Sequence, residues 1–189
     1  MKRRAVILAA GGSQRMGRPK ALLELDGRPI VAWHCERLAT VADEVVVATG
    51  AASLASAVPT WARIVHNEAW STTEPRHSLL LAIAGLDPEA EIIATPVDVP
   101  PAPANVLEAL LAAPADVVAE RGAVVSYLDV PGHPIRMGAA SLHAALRSGT
   151  LRDATARALR VPVDWPGAVQ TWNTADEWSA FVASVNSAR

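Results

Sequence analysis

The sequence predicts an α/β protein of three layers, with helices covering both faces of a mostly parallel sheet. Three observations lead there. Apolar runs with little alternation, such as EVVVAT at 44–49 and EIIATPV at 91–97, suit strands covered on both faces. Stretches with apolar residues at helical spacing alternate with those runs, which is the pattern of β-α-β units. The chain has 189 residues, 51% of them apolar and 19% charged, enough to bury one substantial core and too apolar for a disordered chain.

The elements follow in order. Residues 4–9 form the first strand and lead into a glycine-rich loop. Residues 29–39 read as a helix, with Pro29 suited to its first turn. A strand at 44–49 ends at Gly50; a short helix at 51–57 and a short strand at 62–65 follow. Residues 78–86 form a helix that stops before Asp87-Pro88, and the strand at 91–97 is closed by Asp98-Val99-Pro100. Next come a helix at 104–113, strands at 116–119 and 123–128, and a turn-rich segment at 130–138, VPGHPIRMG. Helices at 139–147 and 153–159 precede a closing helix at 174–185, capped by Thr174 or Asn173 with Asp176 and Glu177 in its first turn. With no repeat, linker or low-complexity stretch, residues 1–189 read as a single domain.

A net charge of −2 argues against a nucleic-acid coat or a polybasic membrane binder, so an anionic ligand must be met by a local cluster of cations. The one cysteine, Cys35, allows no intramolecular disulfide and fits a reducing compartment. The start, Met1-Lys2-Arg3-Arg4 followed by AVILAAGG, imitates a secretion signal, but its apolar run is too short and leads into Gln14-Arg15. No window approaches the roughly 20 apolar residues of a membrane span. Together these predict a cytoplasmic protein.

The loop LAAGGSQRMGRPK, Leu8 to Lys20, carries the chemistry. A glycine-rich turn after a strand can aim successive backbone N–H groups at phosphate oxygens, and Arg15 and Lys20 add full charges beside them. A Walker loop does not fit: Gly12 to Gly17 has the glycine spacing, but Arg18 and Pro19 stand where Lys and Ser or Thr belong. A G-x-G-x-x-G dinucleotide fingerprint does not fit either. The pattern L-A-A-G-x-S-x-R-M-G-x-x-K is filled at every fixed position.

In that pattern the chain resembles the MobA-like nucleotidyltransferases, the family of the molybdenum cofactor cytidylyl- and guanylyltransferases. The continuation ALLELDGRPIVAW is similar too. Further along, Thr95-Pro96-Val97-Asp98-Val99-Pro100 resembles the family's P-x-D-x-P, and Gly132-His133-Pro134 its G-H-P turn near the second substrate. Residues 152–157 resemble its G-D-x-G-A-R segment, and Asn173-Thr174-Ala175-Asp176-Glu177-Trp178 its [DN]-T-P-E-[DE]-[LW]. The resemblance implies a Rossmann-like fold of nucleotide-diphospho-sugar transferase type. It implies nucleotide binding by Leu8, Ala9, Ala10, Gly11, Gly12, Ser13, Arg15, Met16, Gly17 and Lys20. It implies magnesium held by Asp98 and Asn173, catalysis by Arg15, Lys20 and Asp98, and acceptor contacts from His77, Ser78, Gly132, His133 and Pro134.

Each of these residues also has a plain structural reading. Asp98 could cap the helix that follows Pro101, and Asn173 could be a helix N-cap. His133 suits a structural or a substrate-facing place. The five histidines lack the paired spacing of a zinc site, and Cys35 falls within an apolar helix. Trp33, Trp172 and Trp178 read as core, while Trp70, in an N-x-x-W like the family's, could pack near a flat heterocycle or under the loop.

The departures lie in the acceptor half. Residues 71–77, STTEPRH, replace the family's G-M-x-x-S-L approach, and Arg152 and Thr155 replace glycines. The expected reaction is magnesium-dependent transfer of a nucleoside monophosphate to a phosphorylated small molecule of molybdopterin type, with a molybdoenzyme as recipient of the product. Ala9-Ala10-Gly11 and Gly132-His133-Pro134 lean towards CTP over GTP. A sugar- or alditol-phosphate nucleotidyltransferase is the second enzyme reading, and a non-catalytic nucleotide- or cofactor-binding chaperone the third.

Overall fold

The computed structural model describes residues 2–187. The apolar run after Arg4 becomes β1 (Arg3–Ala9), the hub of the molecule. After the loop come a small hairpin, β2 (Glu24–Leu25) and β3 (Arg28–Pro29), then α1 (Ile30–Ala39), β4 (Glu44–Thr49) and β5 (Arg63–His66). α2 (Pro75–Ile83) leads to β6 (Glu91–Pro96), and α3 (Ala104–Leu111) and α4 (Ala115–Arg121) to β7 (Ala123–Tyr127) and β8 (Val130–Gly138). α5 (Ala139–Ser148), α6 (Leu151–Thr155), β9 (Leu159–Pro162) and α7 (Ala175–Ser187) complete the order.

Seven strands form one sheet in the order β5-β4-β1-β6-β8-β7-β9, parallel except for β8. Alternate residues of β1 face opposite layers. Ala5, Ile7 and Ala9 join Ile30, Val31 and Leu38 of α1, Leu107 and Leu110 of α3 and Phe181 of α7. Val6 faces the other way, with Leu79 and Ile83 of α2 and Leu142 and Leu146 of α5. Trp172, Trp178 and Phe181 seal α7 with centroids 4.8–5.5 Å apart, so the aromatics around the last helix are core as expected. Trp33 is only half-buried, with Arg28 over its ring.

The sheet grows from β1 through β4 to β5, and then α2 crosses back to put β6 on the other side of β1. Open α/β sheets bind ligands at such a switch point, outside the carboxyl ends of the strands. The loop after β1 and Asp98 after β6 both lie there.

Four sequence expectations are corrected. Residues 116–119 are helical, inside α4: Pro114 before the helix, Asp116 in its first turn and Gly122 at φ 79° after it outweigh the β-branched pair Val117-Val118. The turn-rich segment 130–138 is the central strand β8. Its Gly and Pro residues fall where the ladder with β7 shifts register, between Val124 and Ser126. Residues 51–57 form turns, not a helix. The helix expected at 153–159 is α6, started by a Thr150–Asp153 capping box, and Leu159 already belongs to β9, which pairs with β7.

Two features escaped the sequence reading. Asp26-Gly27, at φ 54° and 70°, turns the β2–β3 hairpin. Arg136 of β8 is buried against Glu91 of β6 and donates to the carbonyls of Leu110, Leu111 and Ala113 at the end of α3. That network satisfies both buried charges.

Candidate active site

The glycine-rich loop leaves β1 and is tied down at both ends. The amide of Val97 donates to the Leu8 carbonyl at 3.0 Å, and that of Ala51 to the Ala10 carbonyl at 3.1 Å. Ser13, in the left-handed region at φ 48°, opens a short 3-10 turn over Gln14–Met16 that Gly17 closes at φ 68°. The Ser13 hydroxyl accepts from the amide of Lys20 at 3.0 Å, which folds the loop back on itself and aims the Lys20 side chain inward. Ser13 is therefore the fastener of the loop as well as part of its lining.

Trp70 lies under the loop. A Cβ on Gly12 would come within 2.9 Å of the Trp70 ring, and one on Gly50 within 2.5 Å of its Cβ, so both glycines make room for the indole. Trp70 also lines the cleft, so one side chain both packs under the loop and borders the open space.

Opposite the loop, Lys20 Nζ donates to Asp98 Oδ2 at 2.7 Å and to Asn173 Oδ1 at 2.9 Å. Arg15 reaches the same Asn173 oxygen at 3.4 Å. Three distant stretches of chain thus converge on one point. Asp98 caps no helix: α3 begins beyond Pro103 without a side-chain cap. The Asp98 carbonyl accepts from the amide of Trp172 at 3.1 Å, which brings the neighbouring Asn173 alongside. Thr174 and Glu177 take the capping work from Asn173. The Glu177 amide donates to the Thr174 hydroxyl, and the Glu177 carboxylate accepts from the amides of Asn173 and Thr174. The Asn173 amide, first among those partners, holds the Glu177 carboxyl below its usual range.

Beneath Asp98, the buried ring of His34 bonds the Val99 carbonyl through Nε2 at 3.0 Å. Burial pushes its pKa down to about 4, so it is a neutral brace for the turn that carries Asp98. Burial also pushes the Cys35 thiol up to about 12, which leaves it an inert core group.

These groups line a cleft of about 590 Å³. Of the residues expected to bind nucleotide, Leu8, Ala9, Ala10, Gly11, Gly12, Ser13, Arg15 and Lys20 line it; Met16 and Gly17 do not. Met16 turns into the core, and Gly17 serves the turn. Of the expected acceptor contacts, Ser78 lines the cleft and His77 is exposed on α2 outside the lining. Gly132, His133 and Pro134 also lie outside it. Gly132 abuts the 166–168 turn, where a Cβ would stand 1.8 Å from the Ala168 carbonyl oxygen. His133 Nδ1 is buried with no hydrogen-bond partner among the described residues, and burial pushes the ring's pKa to about 4 although the charge of Asp98 opposes the shift.

Within segment 71–77, assigned from the sequence to the acceptor half through His77, it is Thr73, Glu74 and Pro75 that line the cleft, across from the loop as its far wall. Asn67 sets that wall. Its buried side chain donates to Thr73 Oγ1 and Ser78 Oγ at 3.0 Å each and accepts from the amide of Ala69 at 3.1 Å. The N-x-x-W at 67–70 was the available signal, read for its Trp70 and not for Asn67. Among the described residues, no group of three or more His, Cys, Asp or Glu could hold a metal. No helix there is long and apolar enough to cross a membrane.

Comparison with known proteins bears on the family and the fold. The Thermotoga maritima protein described as "Bifunctional protein GlmU" is 33% identical over 113 residues, 57% of this chain and 25% of that protein. The chain thus spans about a quarter of the length of that curated relative. A solved structure of a Mycobacterium tuberculosis rv0371c homologue from Mycobacterium sp. strain JC1 superposes with a TM-score of 0.81, at 24% identity, with both chains covered completely. Rv0371C of Mycobacterium tuberculosis H37Rv, solved as a complex with manganese, superposes with a TM-score of 0.76, at 20% identity, over 97% of this chain and all of the other. These two show a shared fold. The match over residues 5–169, which spans the loop, Asp98 and every strand of the sheet, places the chain in the family of MobA-like NTP transferase domains.

Proposed function

We propose that this protein transfers a nucleoside monophosphate from CTP, or from GTP, to the phosphate of a small-molecule acceptor of molybdopterin type. The observation that carries the reading is the convergence of Lys20, Arg15, Asp98 and Asn173 at the open end of a glycine-rich loop. Two cations and the backbone amides of a glycine-rich loop suit a triphosphate.

An oxygen of the acceptor phosphate attacks the α-phosphorus, the bond from that phosphorus to the bridging oxygen breaks, and pyrophosphate leaves. A phosphate monoester is already an adequate nucleophile, so the chain has to position and to stabilise charge. The loop amides hold the triphosphate in place. Lys20 neutralises charge that builds on the α-phosphate, and Arg15, at the exposed rim, receives the departing phosphates. The far wall at Thr73 to Ser78 confines the remainder of the bound molecules.

Asp98 and Asn173 fit a hard divalent cation. Their oxygens already converge on a positive charge, the Lys20 ammonium, and a carboxylate with an amide oxygen is a suitable donor pair for magnesium. Bound there, magnesium would neutralise phosphate charge and fix phosphate orientation.

A sugar- or alditol-phosphate acceptor is the second reading, open because the family match is to an NTP transferase domain and names no acceptor. A molybdoenzyme recipient belongs to the first reading alone. A pyrophosphate-release screen separates them. Four nucleoside triphosphates are offered with molybdopterin, with hexose and alditol phosphates, and with no acceptor, across a magnesium series. Release with CTP and molybdopterin is expected. Release only with a sugar or alditol phosphate selects the second reading, and no release with any acceptor overturns both.

A further inference from the structure

We infer that Lys20 is a cation plug: in the nucleotide-free protein its ammonium occupies the metal position between Asp98 and Asn173, so that nucleotide must draw it away before a divalent ion can enter. The inference rests on the proposed function and concerns how that same site is controlled.

Three observations support it. First, Lys20 Nζ lies 2.7 Å from Asp98 Oδ2 and 2.9 Å from Asn173 Oδ1, the two oxygens that would ligate the ion. A magnesium ion needs oxygens at about 2.1 Å. An ion that close to both would overlap the ammonium, so the two cations exclude each other.

Second, the charges oppose metal entry. Asp98 stands against the cations of Lys20 and Arg15, and Arg15 also reaches the Asn173 oxygen at 3.4 Å, while the other carboxylate of the cleft, Glu74 on the far wall, is paired with Arg76. Among the described residues, no group of three or more His, Cys, Asp or Glu could hold a metal. The remaining ligands must come from water and substrate phosphate.

Third, the plug can move while the loop stays. The backbone of Lys20 is held by Ser13 Oγ at 3.0 Å, whereas its ammonium sits at the end of four methylenes. A triphosphate in the loop offers that ammonium and Arg15 better partners than an amide oxygen. It frees Asp98 and Asn173 and adds oxygen ligands of its own. Metal and nucleotide binding are then positively coupled, and by linkage each raises the affinity for the other.

Mn²⁺ binding, followed by the loss of its free electron paramagnetic resonance signal, tests this without turnover. The wild type, Lys20→Met and Lys20→Gln are titrated with and without α,β-methylene-CTP, and Lys20→Met/Asp98→Asn serves as the site control. Thermal melts check that each variant is folded.

Without nucleotide, both single variants should bind Mn²⁺ about tenfold more tightly than the wild type, a usual size for coupling between two ligands. The added Asp98→Asn change should abolish that gain. With the analogue present, the wild type should approach the variants. If the wild type binds Mn²⁺ with the analogue but neither Lys20 variant gains affinity without it, the plug is overturned and the proposed function stands. No Mn²⁺ binding by any form, with or without the analogue, overturns the metal reading and the plug with it.

Discussion

The two walls of the cleft are built on opposite principles. The loop wall, from Leu8 to Lys20, is exposed over much of its length and is anchored by backbone hydrogen bonds and one serine. Arg15 and Lys20 line the cleft and meet at the Asn173 oxygen, so neither supports the core. The far wall, from Asn67 to Ser78, hangs on a single buried amide that makes three hydrogen bonds. Gly132 of the G-H-P segment in β8 packs closely against the 166–168 turn. Charge on one wall can be removed at little structural cost; contacts behind the other cannot.

The largest expected effect falls on the loop wall. Lys20→Ala and Asp98→Ala should each lower pyrophosphate release about 10²- to 10³-fold, the usual cost of removing a group that stabilises developing charge. Their melting temperatures should move by no more than about 4 °C, since a partly exposed ion pair contributes up to about 1 kcal/mol. A melting loss much greater than that would erase the contrast between the walls.

Gly132→Ala should behave in the reverse manner. Its Cβ would collide with the Ala168 carbonyl oxygen, 1.8 Å away, and strand and turn must separate. Such overpacking costs about 3 kcal/mol, or roughly 6–12 °C in melting temperature. Asn67→Ala should cost about 2 kcal/mol by stranding Ser78 Oγ and the Ala69 amide, with a fall of roughly 4–8 °C. Calorimetry on Asn67→Ala measures how far the far wall serves as structure, and on Gly132→Ala how far the contact of β8 with the 166–168 turn does.

The smallest effect concerns the brace under Asp98. The folded pKa of His34 is about 4, below its ordinary 6.5. The unfolded chain therefore takes up the proton first. The stability this group contributes is fully present above pH 6.5 and falls as the pH drops towards 4. By pH 6 the loss is about 1 kcal/mol. Stability measured from pH 7 to 5 should fall less steeply in His34→Gln than in the wild type; equal slopes would remove His34 from the account.

Several parts of the protein could be read without coordinates because they depend on neighbours in the chain. The runs at 4–9, 44–49 and 91–97 are apolar enough to be central strands wherever they pack, and all three are. Gly17, Ser13, Arg15 and Lys20 define their loop over a dozen residues, and Asp98 follows directly from the end of a strand. Helix α4 and strand β8 misled because their local signals were weak or contrary. Two valines lie inside a capped helix, and turn-forming residues lie on a strand whose ladder is interrupted.

Other features exist only through contact across long stretches of chain. Lys20 is 78 residues from Asp98 and 153 from Asn173, and no spacing rule pairs them. Met16 looks like a loop residue, yet burial makes it core. Thr174 rather than Asn173 caps the last helix, which releases an amide oxygen to the site. Propensity and pattern decide which residues can form a strand, a turn or a charge cluster. Burial and pairing at the switch point of the sheet decide which of them meet, and so which side chains are free to act.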